Sequence, residues 1–122
     1  MTNKPKFTLF KNITYAMAGL REVLRSETSF RLQLVAIALV TVGLVFVPLP
    51  LMSKLILFVS MWLIPFAEAI NSAIERVVDL VTQEHHPLAG QAKDIGAFIV
   101  LMAFGIVVMI WVTVLYGVLF VG

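Results

Sequence analysis

The chain contains no cysteine, which excludes disulfides and thiolate metal sites and says nothing more about the compartment. Charge is scarce too: Asp, Glu, Lys and Arg make up 13% of the 122 residues, against about 25% in soluble domains. With 61% apolar residues and a mean hydropathy of +1.02, this composition describes an integral membrane protein. Gly-x-x-x-x-Gly-Lys, Gly-x-Gly-x-x-Gly and kinase catalytic-loop patterns are all missing, so any nucleotide site must be of another kind. No repeat, linker or low-complexity tract divides the chain, which reads as a single membrane domain over residues 1–122. Ala16-Met17-Ala18 follows Lys11, Asn12 and Thr14 rather than an apolar run, so no cleaved signal is expected.

What is present is long apolar stretches. Phe7, Phe10, Ile13, Met17, Leu20 and Leu24 recur at three- and four-residue spacing, with Lys11, Arg21 and Arg25 on other faces. The pattern predicts an amphipathic helix over residues 6–26, too polar to span and suited to the cytoplasmic surface of a bilayer. Spans are expected over residues 30–48, 53–83 and 91–121, the second projecting into the cytoplasm. Pro48 and Pro50 end the first, Pro65 should kink the second, and a polar loop over residues 84–90 precedes the third. Six of the nine Lys and Arg fall in the first 31 residues, which puts the N-terminus in the cytoplasm and, after three crossings, the C-terminus outside. The net charge of +2 is small, and no nucleic-acid partner is expected.

The most informative residues lie in the second span. Glu68, Asn71, Glu75 and Asp79 fall within about 80° of one another on a helix, one polar stripe on an apolar rod. From Lys54 to Glu68 is about 21 Å of helix, short of the roughly 30 Å hydrocarbon thickness. A carboxylate at that depth costs about 2.5 kcal/mol or more unless neutral, paired or hydrated, so the stripe must face protein. With Ala36, Gly43, Ala69, Ala73, Gly96 and Gly105 permitting close helix approach, a homo-oligomer is expected. Three readings stand: interhelical hydrogen bonds holding an oligomer, an ion pathway, or a catalytic site. In the last, Glu75 and Asp79 hold a hard divalent cation and Glu68 acts as a base. His85 and His86 are adjacent, the wrong spacing for a zinc site, and read as loop residues. Lys93 and Asp94 read as an interfacial anchor, and Arg76 with Asp79 as a surface ion pair.

Glu68-Ala69-Ile70-Asn71-Ser72-Ala73-Ile74-Glu75-Arg76-Val77-Val78-Asp79, then Glu84-His85-His86 and Ala92-Lys93-Asp94, closely resembles the prokaryotic diacylglycerol kinase family. The likeness extends upstream through Gly19-Leu20-Arg21 and Glu27-Thr28-Ser29-Phe30-Arg31. It implies an all-α homotrimeric bundle, each protomer having a surface helix and three spans. It also implies transfer of the γ-phosphate of MgATP to diacylglycerol at the cytoplasmic face of the bacterial inner membrane, giving phosphatidate. By position, Glu68 is the general base. Glu27 and Glu75 hold Mg2+, and Asn71 and Lys93 orient and neutralise the phosphates. Tyr15, Asp79, Glu84, His85, His86 and Asp94 surround the nucleotide, and Ser29, Gln33 and Ala97 join Glu68 around the lipid.

Five positions depart from the familiar pattern: Thr8 and Ala18 where basic residues are expected, Gln33 and Pro87 where acidic ones are, and Ala97 in place of a small hydroxyl residue. The alternatives are undecaprenol kinase, a related activity on a polyprenol, and a non-catalytic oligomeric membrane protein or ion conduit.

Overall fold

The computed structural model describes residues 8–122, all helices and short connections. Lys6 and Phe7, at the start of the expected surface helix, lie outside the described residues. Helix α1 spans Leu9–Ser26 and α2 spans Thr28–Phe46. Thr8 caps α1, its Oγ1 accepting from the Lys11 N–H at 3.2 Å; a short hydroxyl side chain at this position satisfies an otherwise orphaned donor. Leu9, Phe10, Ile13 and Met17 are exposed, and no residue of α1 is buried.

The polar break between the first two helices narrows to Glu27 alone, whose extended backbone ends α1 and begins α2. Arg31 secures this corner from the first turn of α2. Its Nη1 donates to the Leu24 and Arg25 carbonyls at 2.6 and 3.0 Å, groups that the end of α1 leaves without helical partners.

Val47 to Pro50 turn the chain over, as the prolines predict. Lys54 Nζ reaches back to the Val45 carbonyl at 3.1 Å and so caps α2. Helices α3, Leu51–Met61, and α4, Leu63–Val81, together make one long apolar rod. Their junction corrects the expectation at Pro65: the interruption is at Trp62, three residues earlier. The physical reason lies upstream of the ring, because proline has no N–H for the preceding turn and its ring crowds the carbonyl four residues before it, here that of Met61. Helix α5, Pro87–Tyr116, runs on into a π-turn at Gly117–Val121. It begins four residues before the expected Gln91. His86 caps it, Nδ1 accepting from the Leu88 N–H at 3.1 Å, and Pro87 stands at the first helical position, which requires no N–H. Residues 87–90 are thus helix, where a loop was expected.

Three segments, Thr28–Phe46, Leu51–Val81 and Pro87–Val121, are long and apolar enough to cross a membrane. The internal core is small. Leu57 is completely buried, with Ile37, Leu44 and Met61 around it and Phe58 and Trp111 against them. Trp111 Nε1 donates to Ser60 Oγ at 3.1 Å, and Ser60 Oγ to the Leu57 carbonyl at 2.7 Å, so polar atoms in this apolar layer are paired, as burial demands. Large side chains such as Leu39, Phe46, Leu101 and Met109 point outward, an apolar exterior that suits hydrocarbon or other copies of the chain and not water. At the other end of the bundle α4 and α5 approach closely. Gly96 lies against Asn71 with no room for a Cβ between them.

Candidate functional site

Helix α4 positions the site because its polar residues fall on the side that faces α2, α5 and the end of α1. Glu68 sits between α2 and α4, half-buried. Ser29 Oγ donates to its Oε1 at 3.2 Å, and Gln33 Nε2 to its Oε2 at 3.4 Å. Ser29 and Gln33 are four apart on α2 and so share a face; each carboxylate oxygen keeps a lone pair for a further donor. Gln33 Oε1 is buried without a hydrogen-bond partner among the described residues. Gln33 also lines an apolar cavity of 150 Å³ with Ala36, Ile37, Val40, Met61, Ile64 and Phe104, so it stands between the Glu68 carboxylate and apolar space.

One turn on, Asn71 Nδ2 donates to Glu75 Oε1 at 3.0 Å, while Asn71 Oδ1 faces Gly96, buried and without a hydrogen-bond partner among the described residues. Further along, Lys93 Nζ of α5 pairs with Asp79 Oδ1 at 2.8 Å, both about half exposed. This corrects two expectations. Asp79 is not the partner of Arg76, and Lys93 is not simply an anchor. The pairing follows from the antiparallel α4–α5 hairpin, which lays residue 93 beside residue 79.

Arg76 turns the opposite way, toward α1. Nη1 donates to Glu27 Oε1 at 3.3 Å and to Ser72 Oγ, while Nη2 donates to Ser26 Oγ at 2.6 Å and Glu22 Oε1 at 3.4 Å. Ser72 Oγ also donates to Glu27 Oε1 at 2.8 Å. Glu22 in addition pairs with Arg25 at 2.7 Å; that hydrogen bond and charge, with a smaller contribution from Arg76, hold its carboxyl below the usual range. Glu22, Ser26, Ser72 and Arg76 were not singled out from the sequence as one group. Their only sequence signal is the four-residue spacing within each helix, Glu22 with Ser26 and Ser72 with Arg76.

A polar cavity of 280 Å³ joins the remaining residues. Glu84, His85 and His86 line it with Thr82, Gly90 and Lys93. The loop therefore meets α5 at the same lysine that reaches Asp79. Tyr15 is exposed on α1, and Asp94 and Ala97 are exposed on α5; no hydrogen bond joins these three to the others among the described residues.

Among the described residues no three His, Asp or Glu side chains converge as a metal cage. Mg2+ does not need one: it keeps several waters and takes one or two carboxylates together with phosphate oxygens. Glu27 and Glu75 are hard oxygen donors, each held by a hydrogen bond from α4, the type of ligand such an ion takes.

The sequence that builds this site is similar to that of known proteins along most of its length. The model of a family described as prokaryotic diacylglycerol kinase matches residues 14–115. Diacylglycerol kinase of Escherichia coli K12 is 36% identical over 116 residues, covering 94% of this chain and 95% of that protein. Diacylglycerol kinase of Pseudomonas aeruginosa is 35% identical over 104 residues, 84% of each. A Bacillus subtilis protein named undecaprenol kinase is 36% identical over 88 residues, 72% of each. Similarity of this extent, spanning every helix that contributes to the site, means that the chain belongs to the prokaryotic diacylglycerol kinase family.

Proposed function

We propose that this protein is a membrane lipid kinase that transfers the γ-phosphoryl group of ATP to the hydroxyl of diacylglycerol, giving phosphatidate. The observation that carries the proposal is Glu68: a carboxylate within an apolar span, both oxygens hydrogen-bonded, one of them to Gln33, which lines an apolar cavity. A base there can meet a lipid hydroxyl that never leaves the bilayer.

The Glu68 carboxylate takes the hydroxyl proton as the lipid oxygen attacks the γ-phosphorus. The bond to the β–γ bridging oxygen breaks, and ADP leaves. Ser29 and Gln33 hold the two carboxylate oxygens in a fixed direction, and the adjoining cavity accepts apolar chain. Phosphoryl transfer depends on in-line placement and charge neutralisation more than on covalent chemistry. Lys93 supplies a cation by exchanging Asp79 for a phosphate oxygen, and Asn71 orients the phosphates with the donor that now serves Glu75. Glu27 and Glu75 would hold Mg2+, which when bound offsets phosphate charge. The cavity lined by Glu84, His85 and His86 receives the rest of the nucleotide, and the family resemblance adds Tyr15 and Asp94 to its contacts.

The basic N-terminal third supports a cytoplasmic site in a bacterial inner membrane, with α1 along the surface and the C-terminus outside. The apolar exterior and the few residues each protomer buries support assembly into a homotrimer. The relative named undecaprenol kinase favours a second reading in which the acceptor is a polyprenol.

The test is Mg2+-dependent transfer of labelled γ-phosphate by purified protein in mixed micelles, with diacylglycerol and undecaprenol offered separately. Labelling of diacylglycerol that Glu68→Ala abolishes is the expected result. Preference for undecaprenol keeps the mechanism and changes the acceptor. Failure to label either lipid returns the stripe to a structural or ion-conducting role.

A further inference from the structure

Arg76 ties together three parts of the chain: the last turn of α1, the one-residue corner at Glu27, and, through Ser72, helix α4. Glu27 has little local constraint, being the only non-helical residue between α1 and α2. Its Oε1 receives both the Ser72 hydroxyl and Arg76 Nη1, and no hydrogen bond among the described residues engages Oε2. The guanidinium is planar, with donors in a fixed fork. Bound at Glu22 and Ser26 through Nη2 and at Glu27 and Ser72 through Nη1, it sets the distance between α1 and α4 and the rotation of the Glu27 carboxylate at once.

We propose that Arg76 is a positioning residue for the metal site: with Ser72 it holds Oε1 of Glu27 so that Oε2 is presented to the divalent cation, and it fastens the end of α1 to α4. The inference rests on Glu27 being a metal ligand, as in the proposed function. Both terminal nitrogens of Arg76 are engaged by protein oxygens, so its role is to position Glu27. A bare positive charge near a cation site would weaken cation binding by repulsion. Here the guanidinium is neutralised by two carboxylates, Glu22 and Glu27, and its effect on Glu27 is orientational. Lysine cannot replace it fully, because a single ammonium cannot bridge Glu27 and Ser26 with a planar fork.

The test is Mn2+ binding to the full-length protein in micelles without nucleotide, followed by loss of the free-ion paramagnetic resonance signal. Glu27→Gln, Arg76→Ala and Arg76→Lys are compared with the parent, and thermal melts establish that each variant is folded. Partners that orient metal ligands typically contribute about 10-fold or more in metal affinity. Half-saturation by Mn2+ is therefore expected to rise about 10-fold in Arg76→Ala, toward the value for Glu27→Gln, with Arg76→Lys between that and the parent. In kinetics the same variant should require more Mg2+ while the lipid KM is unchanged, a split that general loosening would not produce. Should Arg76→Ala bind Mn2+ as the parent does while Glu27→Gln does not, the positioning role is overturned and the metal site stands. Should Glu27→Gln bind as the parent does, Glu27 is no metal ligand, and this inference falls together with that part of the proposed function.

Discussion

A methyl group added at Gly96 tests the geometry on which the site depends. An alanine Cβ there would lie 3.3 Å from Asn71 Cγ and 3.6 Å from Ile74 Cδ1, and far inside van der Waals contact with Asn71 Oδ1. Relief requires about 1 Å of movement, since unstrained contacts of this kind begin near 3.5 Å. Either α5 moves away from α4, or Asn71 rotates and gives up its 3.0 Å hydrogen bond to Glu75. Overpacking of this kind costs about 1–3 kcal/mol, while Gly→Ala inside a helix returns about 1 kcal/mol. Gly105, on the same helix with nothing within 4 Å of its hypothetical Cβ, provides the reference, because Gly105→Ala shares the gain and not the clash. Gly96→Ala should therefore be about 1–3 kcal/mol less stable than Gly105→Ala, measured by denaturant unfolding in micelles. Its phosphate transfer should fall by about 100-fold, the cost of a 1 Å displacement of positioning groups. Equal stability of the two variants, together with full activity of Gly96→Ala, would refute the close α4–α5 approach at Asn71 and the role built on it.

Glu68→Gln retains size and one acceptor but cannot take a proton. Its kcat should fall by at least about 100-fold with little change in the ATP KM, and near-normal turnover would remove Glu68 from the base role. Lys93→Ala should lower kcat by about 100- to 1,000-fold, whereas Asp79→Asn, which breaks a half-exposed ion pair, should lower stability by no more than about 1 kcal/mol; thermal melts and single-turnover assays separate the two. Glu22 carries a pH dependence. Its folded carboxyl is held low by Arg25, so its stabilising effect is complete above the ordinary value of 4.5 and is lost as pH falls through the depressed one. Glu22→Gln should thus melt below the parent at neutral pH, with the gap closing in acid, and a gap that persists or widens toward low pH would contradict the pairing.

Features governed by local chain chemistry were readable before any coordinates. Hydropathy and proline positions located the three long apolar helices within a few residues, and the spacing of Glu68, Asn71, Glu75 and Asp79 put them on one side of α4. The resemblance connected Ser29 and Gln33 with Glu68 across the α2–α4 seam, and the structure brings them to 3.2 and 3.4 Å. Partner choice was less legible. The three-residue spacing of Arg76 and Asp79 suggested a pair, because neighbours on one helix are the only neighbours that spacing can reveal. The long arginine instead reached α1, and Asp79 took a lysine from α5. At Pro65 the position of the disturbance was displaced because a proline acts on the carbonyl of the preceding turn. His86 read as a solvated loop residue and became a cap, since an imidazole nitrogen can accept from a backbone N–H two residues on.

By itself, then, the sequence determined what depends on residues along one strand of chain: an apolar composition that requires lipid, helices of spanning length, and a polar stripe of fixed period along α4. Only the tertiary structure decided which helix each side of that stripe meets. The small residue at 96 became the place where α4 and α5 touch, and Glu27 was brought under Arg76. Those outcomes depend on the rotation and separation of helices distant in sequence. A turn of a few tens of degrees exchanges one partner for another without altering any local pattern.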